Sequence, residues 1–197
     1  MSVSLAEEIA SLAARLVVDE GMEYAQAKRK AARQWGRPLR GAEMPSNERL
    51  EDEVRSYIEL FCADTQPGEL HALRELALRW MQRLAEFRPH LSGAVWCGTA
   101  TRLSSIHIDL YCDDPNAPEI AVINLGVDYD VASADGAAEL HYLSVAERCP
   151  ALGEWVTLHL AVRDLNDQRG ALKPDARGRS WRGDAAALQR LLQASPS

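Results

Sequence analysis

The stretch Ser92 to Asp114 reads SGAVWCGTATRLSSIHIDLYCDD. An apolar run, Ala94-Val95-Trp96, reaches Gly98-Thr99, and a short polar loop then gives way to strict alternation. Ile106, Ile108 and Leu110 fall on one side, and His107, Asp109 and Tyr111 on the other. A period of two predicts a strand over 105–112 with one buried and one accessible face. The apolar run before it predicts a shorter strand at 93–97.

Upstream, the spacing is helical. Leu5, Ile9, Leu12 and Leu16 define a first helix, broken at Asp19-Glu20-Gly21. Tyr24, Ala27, Ala31 and Trp35 define a second, ended by Gly36 and Pro38, with Lys28, Arg29, Lys30 and Arg33 on its other face. Such a basic second helix fits a helix-turn-helix entering a DNA groove, or, more simply, a solvated face on a packed helix. Residues 37–45 read as a linker. Ser46 caps a third helix running to about Cys62, with Leu50, Val54, Ile58 and Phe61 inward. A turn at 64–68 precedes a fourth helix from Glu69 to Phe87.

Downstream, further strands are expected at 119–127, 138–146 and 155–163, then a turn-rich loop and a final helix capped by Asp184. The class is α+β: an N-terminal helical region, then a mixed β-sheet with flanking helices. The expected organisation is a basic two-helix segment at 1–40, a second two-helix segment at 41–88, and an α+β domain at 89–197.

With 197 residues, 47% of them hydrophobic and 26% charged, the composition is that of a folded globular chain. No apolar run approaches the ~20 residues of a membrane helix, and Glu7 and Glu8 argue against a signal peptide. A cytoplasmic protein is expected. Cys62, Cys97, Cys112 and Cys149 form no CxxC pair, which makes them buried thiols and not a zinc site. The net charge of −7 is uneven: 41–162 holds eight Lys/Arg against twenty Asp/Glu, while 1–40 and 163–197 are each basic. Basic ends suit polyanion binding or docking onto the acidic centre.

The helix, strand, Gly98-Thr99 turn and Ile106-His107-Ile108-Asp109-Leu110 strand resemble the active-site entry of the DNA polymerase β-like (minimal) nucleotidyltransferases, over about 25 residues. That family reads Gly-Ser, a loop, then Asp-x-Asp, with a third carboxylate on a later strand. The resemblance implies that Gly98 and Thr99, with Arg102, hold phosphate oxygens. It makes Asp109 and His107 the strand pair and Glu139 a third catalytic candidate, beside Thr157 or His159. Carboxylates at i and i+2 hold Mg²⁺ for in-line phosphoryl displacement. Here His107 stands where the first carboxylate belongs, and imidazole is a poor Mg²⁺ ligand. The expectation is therefore a degenerate member that binds a nucleotide or phosphorylated small molecule, its transfer activity lost or altered. Mg²⁺ is its cofactor only if that activity survives.

Two other features compete. If the strand faces coincide, His107, Asp109, His141 and His159 meet and suit Zn²⁺, which would make a divergent metal-dependent enzyme. In the loop 165–184, Lys173, Arg177 and Arg179 beside Trp181 suit phosphate or RNA. A non-catalytic interaction module is the alternative reading, with the amphipathic helices permitting a homodimer and nucleic acid a less favoured partner. There is no GxxxxGK[ST] loop, GxSxG elbow or HExxH helix. Asp109, on an accessible face, is expected to tolerate truncation with little loss of stability.

Overall fold

Ser4 opens the first helix. Its hydroxyl accepts from the Glu7 amide while the Glu7 carboxylate accepts from the Ser4 amide, starting α1 (Leu5–Glu20). Gly21 ends it at φ 66°, where an added Cβ would stand 2.8 Å from the Leu103 carbonyl oxygen. Next come α2 (Tyr24–Ala32) and α3 (Asn47–Phe61), the latter capped by Ser46. The three helices share a core that includes Ile9, Ala13 and Val17 of α1, Ala27 and Ala31 of α2, and Leu50, Val54 and Ile58 of α3. Part of the basic face of α2 is answered inside this bundle, where Lys30 pairs with Glu20 at 2.6 Å and Lys28 reaches Asn47 Oδ1 at 2.7 Å.

This computed structural model describes residues 4–36, 41–133, 141–175 and 177–194. Its chain divides into two compact units: Met1–Pro67 with Thr99–Ser104, and Gly68–Gly98 with Ser105–Ser197. These bounds differ from those expected at 40 and 88, because α3 packs with α1 and α2 and a later segment returns to the first unit. Within that unit, Gln66 donates to the Ala100 carbonyl at 2.8 Å.

The second unit is built on a six-stranded sheet: β1 (His90–Ser92), β2 (Ile106–Cys112), β3 (Tyr129–Ser133), β4 (His141–Cys149), β5 (Glu154–Asp164) and β6 (Arg182–Asp184). The order is β3-β4-β5-β2-β1-β6, with β2 and β5 parallel and every other pair antiparallel. The fold is thus mixed α+β with a helical N-terminal region, as the pattern predicts. Leu91, Ile106, Ile108, Leu143, Leu158 and Leu160 fill one face of the sheet, each burial contributing roughly 1.5–3 kcal/mol. Helix α4 (Gln66–Arg83) lies on that side, where Trp80 donates to Glu147 at 2.8 Å.

Several elements differ from expectation. Helix α4 begins at Gln66, with Pro67 in the first turn where a missing N–H costs nothing, and ends at Arg83. The segment 93–97 is not a strand but a helical turn, α5 (Gly93–Cys97), ended by Gly98 at φ 88°. The segment 119–127 is not a strand either: α6 (Ala117–Asn124) occupies it, with Pro118 in its first turn. The fourth expected strand sits later, as β4, and β1, β3 and β6 are additional. Beyond β5, α7 (Gln168–Ala171) precedes β6, and α8 (Ala185–Ala194) is capped by Asp184, whose Oδ1 accepts from the Ala187 amide at 2.8 Å.

Candidate functional site

Residues paired across strands share a face, so the register sets the site. His90 stands opposite Asp109, Ser92 opposite His107, His107 opposite His159, and Tyr111 opposite Arg163. On the flanks, Ser144 and Tyr142 of β4 face His159 and Ala161, while Arg182 and Asp184 of β6 face Ser92 and His90. The alternation seen in 106–111 therefore makes a polar sheet face carrying His107, Asp109, His159 and Arg163.

Asp109 is the centre of this face and is 2% exposed. Arg163 Nε donates to its Oδ1 and Arg182 Nε to its Oδ2, each at 2.5 Å. Both arginines keep about a quarter of their side-chain surface, 22% and 25%. Arg182 also donates to the Ala171 carbonyl at 3.3 Å, tying the C-terminal segment to the sheet. Three charges in contact sum to +1, and the carboxylate has both oxygens engaged by guanidinium.

Beside this cluster Tyr111 is 1% exposed, and its hydroxyl has no hydrogen-bond partner among the described residues. Burial and then the charge of Asp109 push its phenol above the usual tyrosine value, against the opposing pull of Arg182 and Arg163. His90 packs edge-on against the Tyr111 ring at 5.4 Å and donates from Nδ1 to the Arg88 carbonyl at 2.8 Å. Lower on the face, the rings of His107 and His159 lie 5.0 Å apart, tilted by 32°. Ser144 Oγ lies 3.0 Å from His159 Nδ1.

The other expected site residues fall elsewhere. His141 is paired with Val162, which puts it on the opposite face of the sheet from His107, Asp109 and His159, and it is exposed. Hence the four do not meet. Among the described residues no three His, Cys, Asp or Glu side chains converge as a metal requires. Glu139 lies outside the described residues.

Gly98 opens onto Arg74, whose Nη2 would stand 3.5 Å from an added Cβ. Arg74 is 8% exposed and donates to the Val95 and Trp96 carbonyls of α5 at 3.0 and 3.1 Å. Burial lowers its pKa, with a raising contribution from Cys97. Gly98 is thus the left-handed cap of a short helix carrying a cation at its carbonyl end. Thr99 and Arg102 belong to the first unit, where Thr99 is 1% exposed with its hydroxyl 3.4 Å from that of Tyr24. Lys173 and Arg177 are exposed, while Arg179 pairs with Asp175 at 3.1 Å and lies 5.2 Å over the Trp181 ring.

Asp109 also departs from expectation in being inaccessible. Sequence reasoning found Asp109, His107 and His159, but it missed Arg163 and Arg182 as partners of Asp109, Arg182 being the harder to see. That contact spans 73 residues and depends on β6 pairing with β1, for which three residues, Arg182–Asp184, give no periodic signal. No family model, curated protein or solved structure matches this chain. Among the described residues no helix is long and apolar enough to cross a membrane.

Proposed function

We propose that this protein binds a phosphorylated ligand, a nucleotide in the first instance, on the polar face of its sheet, without metal-dependent phosphoryl transfer. The observation that carries the reading is the Arg163–Asp109–Arg182 cluster. A carboxylate holding two guanidinium groups has little left for a hard cation, and His107 beside it is a poor Mg²⁺ ligand. The same clamp fixes two arginines whose side chains keep 22% and 25% of their surface, and guanidinium is the group that captures phosphate in a bidentate way.

The test is a melting curve with ATP, once with Mg²⁺ and once with EDTA. A ligand selective for the native state raises the midpoint. The expected result is a rise in both conditions, lost in a folded Arg163→Gln variant and partly kept in Arg163→Lys. No rise in either condition overturns the reading, and a rise that needs Mg²⁺ overturns its metal-free part.

A second reading has its own observation. On α6, Ile120 and Ile123 are each 54% exposed and Leu125 just beyond is 41% exposed, an apolar surface suited to a protein contact. A concentration-dependent mass in light scattering, abolished by Ile120→Lys, would support an interaction module.

A further inference from the structure

We propose that His107 and His159 form a proton-transfer pair that cleaves single-stranded RNA by attack of the ribose 2′-hydroxyl on the adjacent phosphodiester. This rests on the reading that phosphate binds at Arg163 and Arg182. The two histidines are register partners on the parallel strands β2 and β5, so both rings rise from the same face and reach the same small region. At 5.0 Å between centroids, the two imidazoles put a proton acceptor and a proton donor within reach of one bound phosphodiester. That is an acid and a base side by side. Ser144 lies against Nδ1 of His159, which orients this ring and sets Nε2 at its far edge.

Arg163, four residues beyond His159, is anchored on Asp109, which follows His107 by two residues on the same face, about 7 Å along the strand. It is placed to hold the non-bridging oxygens of a phosphate whose bridging oxygens lie at the histidines. Trp155 shares this face at the other end of β5 and is 69% exposed, a platform on which a neighbouring base of a single strand stacks. The face thus offers groups for a phosphate and for a base some distance from it, which a polymer spans and a mononucleotide does not.

The step balances without a co-reactant. The neutral imidazole takes the proton of the 2′-hydroxyl, and the oxygen forms a bond to phosphorus. The bond from phosphorus to the 5′-oxygen breaks, and the imidazolium protonates that leaving oxygen. The products are a 2′,3′-cyclic phosphate and a free 5′-hydroxyl, with no change of oxidation state.

The experiment incubates the purified full chain, in EDTA, with a labelled single-stranded oligoribonucleotide and with its 2′-deoxy counterpart. Cleavage of the ribose strand alone is expected, with cyclic-phosphate ends. His107→Gln and His159→Gln should each lower the rate about 100-fold or more while circular dichroism stays native. If either variant unfolds, the 2′-deoxy comparison and the end-group analysis still decide. Uncut RNA, equal cutting of both strands, or undiminished cutting by folded variants overturns the proposal. A nucleotide-induced rise in melting temperature with uncut RNA removes this step and leaves the binding reading standing. Failure of both removes both.

Discussion

Asp109 sits on the alternating side of β2 that solvent would normally take, yet it is 2% exposed because two arginines close over it. Its removal leaves two guanidinium groups facing each other with no counter-charge, and breaking a largely buried pair in this way is expensive. Asp109→Asn should therefore destabilise the protein by about 2–4 kcal/mol in denaturant titration, the partial exposure of the arginines keeping it toward the lower end. The Tyr111 hydroxyl presents the opposite case. It is buried with no hydrogen-bond partner among the described residues, so Tyr111→Phe should raise stability by roughly 1 kcal/mol. Its pH dependence has a definite sign. The native phenol is raised above its unfolded value, so its contribution is intact below about pH 10 and falls away as pH climbs toward the native value. The fall should be smaller in Tyr111→Phe, with the residual loss carried by Tyr57 and Tyr129, which are also raised.

At the scale of elements, β6 holds the cluster together through one glycine. A Cβ at Gly183 would stand 2.0 Å from the Trp96 ring, whose Nε1 donates to the Ser180 carbonyl at 2.7 Å. Gly183→Ala forces ring and strand apart, costing about 1–3 kcal/mol, and carries Arg182 away from Asp109. A double-mutant cycle checks this: Arg182→Gln should cost clearly less in the Gly183→Ala background than in the wild type. Elements of this kind divide what the sequence reveals from what it conceals. Caps and stripes are local, so Ser46, Asp184 and the Leu50, Val54 and Ile58 stripe of α3 mark their helices within a residue or so. Residues 106–111 and 155–163 alternate over enough positions to reveal both long strands. Ala94-Val95-Trp96 and Ile120-Ala121-Val122-Ile123 are apolar runs too short to separate strand from helix by periodicity, although Pro118 ahead of the second was a usable helix-start signal. For the site, face parity within β2 and β5 is legible. Parity between strands is not, and a single step of register sends His141 to the far side of the sheet.

Taken as a whole, the chain is acidic, with a formal net charge of −7, and that constrains how it can hold a polyanion. A protein that binds nucleic acid through a broad basic surface displaces many counterions and loses affinity steeply with salt. On the polar sheet face the cations are few: Arg163 and Arg182 at Asp109, and Arg148 opposite Trp155 on β4. Two or three phosphate contacts to a single strand predict a slope of log affinity against log salt of only about −1.4 to −2.1. Below about 0.1 M salt a second effect enters, because the Debye length grows from ~10 Å toward ~30 Å and the acidic remainder of the chain comes within range of the bound strand. Affinity for a single-stranded oligoribonucleotide should therefore rise gently as salt falls to that point and then level off. Fluorescence anisotropy from 0.01 to 0.5 M salt measures the curve directly. A slope steeper than about −4 would mean that phosphates are held by many cations, such as those of α2 and the 165–184 segment. The sheet face would then no longer be the binding surface. The predicted shallow, bending curve is what a local cationic cluster on an acidic protein requires.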